Sequence, residues 1–267
     1  MKISVIFGKS SFADDASYRS LEDSLKSCGH SLTVVPSDGP LPEGTDMLVS
    51  VGGDGTFLGS ARLAAPASVP VVGVNLGHLG FLSENSASAV AEAISAGKYA
   101  IQERSMLTAL VNGREFLALN DVCVRRSDGS MLGIQVSVDG CELPVYWADG
   151  LLVSTPSGST AYSLSVGGPI VMPSSKVLII APIAPHNLNV RPMIIPQESR
   201  LSLKFLSRSD TVIFSADNYS QNVGNDSVIE VGMAQFSLKR VCLDNSNFVK
   251  ALSDKLFWGE DKRNGKN

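Results

Sequence analysis

Two hydrophobic patterns meet near Lys98. Before that residue, strand-sized apolar segments alternate with helix-sized amphipathic ones, in the order KISVIFG, the run from Asp14 to Cys28, SLTVVP, DMLVSV, TFLGSARLAA, VPVVGV and SASAVAEAISAG. This alternation is typical of a parallel sheet with crossover helices. We therefore predict an α/β domain with a Rossmann-like parallel sheet over residues 1–97, with binding chemistry at the carboxyl ends of its strands.

After Lys98 the segments are short, rich in strand-forming residues and separated by turn residues, as in LTALVNG, EFLALNDVCVRR, LGIQVSVDG, KVLIIAPI, RLSLKFL, TVIFSAD and QFSLKRVCL. They predict a β-rich, β-sandwich-like domain over residues 98–240. Within it, SGSTAYSLSVGG predicts a short helix from about Ser159 to Val166. In the last segment, residues 241–267, an amphipathic helix is predicted from apolar residues at Phe248, Leu252, Leu256 and Phe257.

Charge and composition exclude several classes of protein. The formal net charge is −4 and the Lys and Arg residues are scattered, unlike the basic surface of a nucleic-acid-binding protein. No apolar run approaches the ~20 residues of a membrane span, and the N-terminal run is too short for a signal peptide. The 4 cysteines form no C-x-x-C pair and the 3 histidines have no metal-ligand spacing. We therefore expect a cytoplasmic, soluble protein with buried free thiols, no metal site formed by the protein, and no nucleic-acid or membrane partner.

The stretch Gly52-Gly53-Asp54-Gly55 lies between a predicted strand and a predicted helix. Glycines allow positive φ and expose backbone N–H groups, which together with a helix N-terminus can hold phosphate. A carboxylate repels phosphate, so Asp54 is better explained as a base for an attacking hydroxyl or as a group that holds a metal on the phosphates. The alternative is an N-cap aspartate in a tight turn. Other glycine motifs in the chain lack P-loop or Rossmann spacing.

A second polar segment runs from Asp149 to Ile170. Ser157 and Thr160 could hydrogen-bond a sugar or an amide, Tyr162 could stack on a flat ring, and Asp149 could accept from ribose hydroxyls. The alternative is that the hydroxyls only cap the short helix and that the tyrosine only fills core.

Two further features have both a functional and an ordinary explanation. The pair Asn120-Asp121 could bind a base edge or a ribose diol, although such a pair alone is more often a turn. Arg62, in the helix after the glycine loop, could neutralise phosphate charge or be an ordinary surface arginine.

Together these motifs resemble the NAD kinases, particularly the short bacterial type. The matching stretches are GGDGTFL, GVNLGHLGFL, LND, DGLLVSTPSGSTAYSLSVGGPI, APHNLNVRPMIIP and DKLFWG, which span nearly the whole chain. A bare GGDG is shared with kinases that resemble diacylglycerol kinase, sphingosine kinase and phosphofructokinase. The segment from Asp149 to Ile170 is far more specific.

The resemblance implies transfer of the γ-phosphoryl of ATP to the 2′-hydroxyl of the adenosine ribose of NAD, giving NADP, with a divalent cation on the nucleotide. It also implies a homodimer or homotetramer whose last segment returns to the first domain. Two alternatives remain: a lipid or other small-molecule kinase with the same glycine loop, and a non-catalytic dinucleotide sensor.

The resemblance also implies roles for single residues. Asp54 corresponds to the general base, Asn120 and Asp121 to ribose contacts, and Asp149 to the aspartate that faces the nicotinamide. Phe81 corresponds to the aromatic near the adenine. The other positions implied to contact substrate are Gly53, Gly55, Ser157, Thr160, Ala161, Tyr162, Ser163, Leu164, Ser165, Ala184 and Asp217.

The chain departs from the family's pattern at three places. Asp121 stands where glutamate is common, so its carboxylate is one methylene shorter. Trp147 stands where a basic residue is frequent, and DNYSQN after Ala216 lacks the usual glycine.

Overall fold

The structure, a computed structural model, describes residues 1–77, 80–243 and 246–256. The strands are β1 (Lys2–Phe7), β2 (Ser31–Val34), β3 (Met47–Val51), β4 (Val71–Val74), β5 (Ala100–Arg104), β6 (Leu107–Val111), β7 (Arg114–Ala118), β8 (Asp121–Arg126), β9 (Leu132–Val138), β10 (Cys141–Glu142), β11 (Tyr146–Ala148), β12 (Gly150–Ser154), β13 (Val177–Ile183), β14 (Met193–Pro196), β15 (Leu201–Ser207), β16 (Thr211–Ala216), β17 (Tyr219–Gly224), β18 (Ile229–Met233) and β19 (Leu238–Cys242). The helices are α1 (Ala16–Ser27), α2 (Asp54–Ala64), α3 (Ala87–Ala96), α4 (Tyr162–Ser165) and α5 (Phe248–Leu256), with 3₁₀ turns at Ser10–Asp14 and Ser157–Thr160. The chain divides into a first unit, residues 1–103 with the segment from Leu238 onward, and a second unit, residues 104–237.

The first unit is built on a six-stranded sheet in the order β2-β1-β3-β4-β19-β5. Strands β1, β3 and β4 run parallel, and the register places Val5 beside Val49 and Val49 beside Val72. These valines form a buried cluster with apolar residues of α1 and α3. Helix α2 packs on the opposite face, where a Cβ at Gly73 would lie 3.1 Å from the Phe57 ring. The predicted α/β domain with a parallel sheet is confirmed.

Local signals set the ends of two helices of this unit. Asp15 caps α1 by accepting from the N–H of Ser17 at 2.8 Å. Ser86 caps α3 in the same way, through the N–H of Ala89. Helix α3 ends at Gly97, whose φ of +64° is the left-handed conformation that favours glycine at this position.

The second unit consists of two antiparallel sheets. One has the order β10-β9-β15-β18-β6-β7 with β11 paired to β9, and the other has the order β14-β13-β12-β8-β16-β17. Alternate residues of both sheets form one buried apolar core, in which the ring centroids of Phe116 and Phe214 are 5.0 Å apart. The predicted β-rich, sandwich-like domain is confirmed.

Several details differ from the sequence prediction. The predicted boundaries, residues 97 and 240, fall elsewhere because β5 and β19 belong to the first sheet, where Arg240 of β19 pairs in parallel with Val71. An alternating segment such as QFSLKRVCL does not reveal which sheet it joins. The predicted helix near Ser159 is a 3₁₀ turn followed by the single turn α4.

Other expectations concern the thiols and the last segment. All four cysteines are free, but Cys28 and Cys141 are exposed, so the expectation of buried thiols is wrong for these two. Helix α5 is present, whereas Phe257, also predicted for it, lies outside the described residues. No helix in the described part of the chain is both long and apolar enough to cross a membrane.

Candidate functional site

The glycine loop follows β3 at the carboxyl edge of the first sheet. The N–H of Gly52 donates to the carbonyl of Val74 at 2.9 Å, and a Cβ at Gly52 would lie 2.5 Å from Thr56 Oγ1. With φ at +151°, this position requires glycine. Gly53 and Gly55 do not adopt a positive φ, but a Cβ there would meet no other atom within 4 Å, so both glycines leave an open surface.

Asp54 is the first residue of α2, and Gly53 is the N-cap, so the alternative that Asp54 caps the helix is wrong. Its carboxylate instead accepts three backbone N–H groups from the segment after β4. Phe81 donates to Oδ2 at 2.9 Å, Leu82 donates to Oδ1 at 3.0 Å, and Ser83 donates to Oδ1 at 2.9 Å. A carboxylate has about four acceptor positions. Among the residues that the structure describes, only the Phe81 N–H donates to Oδ2, which leaves this oxygen one acceptor position. The partly exposed carboxylate is therefore oriented and still able to accept a hydrogen bond.

A buried ion cluster lies directly after this segment. Glu84 is paired with Arg240 at 2.8 Å and with Lys255 at 3.3 Å, and the side chains of the two cations are only 6% and 8% exposed. The Ser246 hydroxyl donates to the same carboxylate at 2.7 Å. Burial raises the pKa of Glu84, but the two cations and the hydroxyl outweigh burial, so the pKa lies below its usual value.

Asp217 makes a similar arrangement in the second unit. Its carboxylate accepts the N–H groups of Leu119 at 2.8 Å, Asn120 at 2.8 Å and Asp121 at 3.2 Å. Asp217 itself has φ +52°, a left-handed conformation that Asp and Asn tolerate better than most residues. The segment predicted to bind ribose is thus held in place through its backbone by another predicted site residue.

Asp121 is 7% exposed and lies in the field of Asp217. Burial, and secondly the charge of Asp217, raise its pKa to about 7. Near neutral pH the side chain is therefore poised between a carboxylic acid that can donate a hydrogen bond and a carboxylate that can only accept.

The serine- and threonine-rich segment after β12 is tied to the same region. The Thr155 hydroxyl donates to the carbonyl of Leu119 at 2.6 Å and accepts from the N–H of Gly158 at 3.2 Å. Ser157 Oγ accepts from Arg104 at 3.2 Å, and the 3₁₀ turn has no side-chain cap, so Ser157 does not act as its cap. The Thr160 hydroxyl donates within the turn, to the carbonyl of Ser157.

Tyr162 opens α4 and packs against a small buried cluster that includes Cys123 and Leu152. Burial, and then Cys123, raise the pKa of the Tyr162 phenol. The side chain thus fills core in part, as the ordinary explanation for it predicts, while remaining partly accessible. Among the neighbouring predicted contacts, Ser163 is buried, whereas Ala161, Leu164 and Ser165 keep exposed surface.

Asp149 lies between β11 and β12, with its carboxylate 3.2 Å from Arg126 and 4.0 Å from His186. Ala184 follows β13 with φ +44° and is exposed, which matches a tight turn. Both side chains can be reached by solvent.

Arg62 lies in the last turn of α2, at the opposite end from Asp54. Eight residues of helix separate their Cα atoms by about 12 Å. The predicted contact of Arg62 with phosphate at the glycine loop stays a prediction. A basic residue at that position also suits the negative end of the helix dipole.

Sequence reasoning did not identify Glu84, Arg240, Lys255 or Thr155. The available signal was a charge at an apolar position: Lys255 shares the apolar side of α5 with Phe248 and Leu252. Within residues 1–77, 80–243 and 246–256, no group of three or more His, Cys, Asp or Glu side chains is suited to hold a metal.

The chain matches known proteins in its sequence and in its fold. Residues 26–99 match the family model of the ATP-NAD kinase N-terminal domain, and residues 119–243 match that of the C-terminal domain. An NAD kinase of Flavobacterium psychrophilum is 38% identical over 90% of this chain and 85% of its own length. An NAD kinase of Cytophaga hutchinsonii is 42% identical over 82% of this chain and 78% of its own length.

Two solved structures are similar across the chain. Yeast NADH kinase complexed with NADH aligns with a TM-score of 0.84, at 22% identity, over 100% of this chain and 90% of that one. An NAD kinase from Archaeoglobus fulgidus in complex with ATP aligns with a TM-score of 0.79, at 26% identity, over 96% of this chain and 99% of that one. With its two family domains and its close relatives, this chain belongs to the NAD kinase family.

Proposed function

We propose that this chain transfers the γ-phosphoryl group of ATP to the 2′-hydroxyl of the adenosine ribose of NAD. The 2′-oxygen forms a bond to the γ-phosphorus, the bond from that phosphorus to the β,γ-bridging oxygen breaks, and ADP leaves. The hydroxyl proton passes to the carboxylate of Asp54 and then to solvent. The products are NADP and ADP.

The observation that carries this mechanism is the environment of Asp54. Three backbone N–H groups fix its carboxylate, while Oδ2 keeps an acceptor position. A secondary hydroxyl is a weak nucleophile, so a positioned proton acceptor assists its attack in a loose phosphoryl transfer. The open Gly53 and Gly55 beside the N-terminus of α2 suit phosphate oxygens.

For the dinucleotide, we propose contacts from the second unit. Asn120 and the poised Asp121 suit ribose hydroxyls, because they supply both donors and acceptors. Asp149, partly exposed, suits the amide of the nicotinamide, and Tyr162 suits a flat ring. We infer a different role for Asp217, which acts through the backbone of residues 119–121 rather than by touching the ligand.

The divalent cation that kinases of this type use is assigned to ATP. The described residues offer no group of three metal-binding side chains, and so do not fit a metal site of the protein's own. We therefore assign the cation to the phosphate oxygens and route no step of the mechanism through it.

We also propose a homodimer or homotetramer and a cytoplasmic location. Exposed apolar side chains of the second unit, Leu188 and Ile194 among them, offer surface for self-association. Light scattering should give about two or four times the 28.2 kDa chain mass. A mass of one chain at working concentration would contradict the assembly, and recovery in the membrane fraction would contradict the location.

The reaction is tested with purified protein, a panel of acceptors and a panel of donors. NADP, detected by a dehydrogenase specific for it, should appear only when NAD and a phosphoryl donor are both present. Replacing ATP by polyphosphate measures the preference for the phosphoryl donor, and replacing NAD by NADH measures the preference for the acceptor. Phosphorylation of diacylglycerol or sphingosine in place of NAD would favour the lipid-kinase alternative, and NAD binding without ATP consumption would favour a sensor.

A further inference from the structure

Lys255 and Asp54 bind opposite ends of one peptide group. The ammonium of Lys255 donates to the carbonyl of Gly80, and the N–H of the same peptide group, which belongs to Phe81, donates to Asp54 Oδ2 at 2.9 Å. The ammonium also lies 5.0 Å from the centroid of the Phe81 ring, a cation–π distance.

Arg240 continues this arrangement along the next two peptide groups. Its Nη2 lies 3.3 Å from the carbonyl of Phe81 and 3.5 Å from that of Leu82. The N–H groups of those peptides, from Leu82 and Ser83, donate to Asp54 Oδ1. Three successive peptide groups therefore have a cation at the carbonyl end and the Asp54 carboxylate at the N–H end.

This alignment has an electrostatic consequence. A cation at a carbonyl and an anion at the N–H of the same peptide both favour one dipole direction, and hydrogen bonds in such a chain polarise one another. Glu84 fixes both cations from the side, at 2.8 Å and 3.3 Å. Because the cationic side chains are almost fully buried, solvent screens these interactions little.

We propose that Lys255 is a positioning residue for phosphoryl transfer: it fixes the Gly80–Phe81 peptide, and thereby the donor that orients Asp54 Oδ2, the oxygen that keeps an acceptor position. The proposal rests on the proposed role of Asp54 as the base. A buried lysine is costly without partners, and the partners of this one are the carbonyl and the ring of that peptide together with Glu84.

The first test compares Lys255→Gln with Lys250→Gln, a matched change at an exposed lysine of the same helix. Displacement of a reacting group by about 1 Å can cost about 100-fold in rate, so Lys255→Gln should lower kcat by roughly 10-fold to 100-fold. The KM values for NAD and ATP should change less than about twofold, because the almost fully buried Lys255 is proposed to act through the Gly80–Phe81 peptide and not on a ligand. Lys250→Gln should match the wild type, and Lys255→Arg should recover most of the lost kcat.

Two outcomes of this test overturn the proposal. An unchanged kcat in folded Lys255→Gln means that the lysine positions nothing required for the reaction. A raised KM with an unchanged kcat means that it binds substrate instead. If Lys255→Gln does not fold, the proposal is tested with Lys255→Arg. Arginine is also a cationic donor and should replace lysine at the Gly80 carbonyl. A folded Lys255→Arg variant whose kcat falls by as much as 100-fold therefore contradicts the proposal.

A second test asks whether Lys255 acts through Asp54. In the background of Asp54→Asn, adding Lys255→Gln should reduce the residual kcat by less than about twofold, because residues that act as a unit are not additive. Additive losses contradict the proposal.

A third readout does not depend on the reaction. Amide hydrogen exchange at Phe81 should speed up at least about tenfold in Lys255→Gln and stay at the wild-type rate in Lys250→Gln. An unchanged exchange rate overturns the proposal even if the wild type phosphorylates NAD. Faster exchange in Lys255→Gln, together with a wild type that makes no NADP, would instead refute the proposed function alone.

Discussion

Asp54 in the first unit and Asp217 in the second bind the backbone in the same pattern. In each case Oδ2 accepts one N–H and Oδ1 accepts the next two, from three successive residues: 81–83 for Asp54 and 119–121 for Asp217. The distances agree within a few tenths of an ångström. Two aspartates in different units thus each hold the backbone of a short segment that follows a strand.

The two sites differ in what lies on the carbonyl side of the segment. Behind residues 80–82 are the cations Lys255 and Arg240. Behind residues 119 and 120 are neutral donors, the Thr155 hydroxyl and N–H and the Ser154 hydroxyl. The same hydrogen-bond pattern can therefore hold a carboxylate among compensating positive charges, or place it beside a second acid whose pKa it raises.

The largest difference between the two sites is expected in catalysis. Asp54→Asn keeps the size of the side chain but removes the proton acceptor, so kcat should fall by about 100-fold to 10,000-fold. Affinity for NAD should change little. Single-turnover kinetics and equilibrium NAD binding measure the two effects. Asp23→Asn, at an exposed position of α1, is the matched control. Turnover of Asp54→Asn at the wild-type rate would remove Asp54 from the mechanism.

The second largest effect is expected from the ion cluster whose cations, Lys255 and Arg240, bind the carbonyls of residues 80–82. Glu84→Gln leaves two buried cations without their anion, which should lower the free energy of unfolding by about 3–5 kcal/mol. The pKa of Glu84 is lower in the folded protein than in the unfolded chain. Ionised Glu84 therefore stabilises the fold at pH values above its unfolded-state pKa. This stabilisation is lost as the pH falls through its folded-state pKa. Urea unfolding at neutral pH and at pH about 3 should therefore show variant and wild type converging in acid.

The control for this change is Glu92→Gln, at an exposed position of α3. It should stay within about 0.5 kcal/mol of the wild type. An equally small effect at Glu84 would mean that the ion cluster contributes little, and the two aspartates would then differ mainly in the second acid, Asp121, that lies beside Asp217.

A smaller effect is expected at Asp217. Asp217→Asn suits the left-handed backbone, so the change mainly turns one acceptor oxygen into an NH₂ group that faces a backbone donor. Leaving such a donor unsatisfied costs about 1–3 kcal/mol. We expect a raised KM for NAD with little change in kcat, measured by steady-state kinetics, because the residue orders Asn120 and Asp121. A loss confined to kcat would instead place Asp217 in the chemistry.

Much of the fold could be predicted because its signals are local. The apolar periods of β1, β3 and α2 and the capping residues of α1 and α3 lie within single segments. Strands such as β17, with the polar sequence YSQNVG, escaped prediction because their pairing to β16 defines them rather than their own composition.

The site residues likewise divide into those that the sequence could predict and those that it could not. Asp54 and the pair Asn120-Asp121 stand out in the sequence because unusual residue types occupy strand ends. The ion cluster does not, since Glu84 lies 156 residues from Arg240 and 171 from Lys255, and only tertiary folding brings them together. The role of Asp217 was equally hidden, because its partners are backbone N–H groups, which every non-proline residue carries.

The smallest effect is a pH dependence from Asp121. Its folded-state pKa of about 7 lies above the ~3.9 of an unfolded aspartate. Folding therefore favours the neutral acid: this stability is fully present below the unfolded value and is lost as pH rises through about 7. Between pH 6 and 8 the wild type should lose about 1 kcal/mol that Asp121→Asn, neutral throughout, retains. Urea titrations at both pH values measure this, with exposed Asp210→Asn expected to follow the wild type. Parallel losses in Asp121→Asn and wild type would show that burial and Asp217 do not raise the pKa of Asp121, and the contrast with Asp54 would then rest on the cations alone.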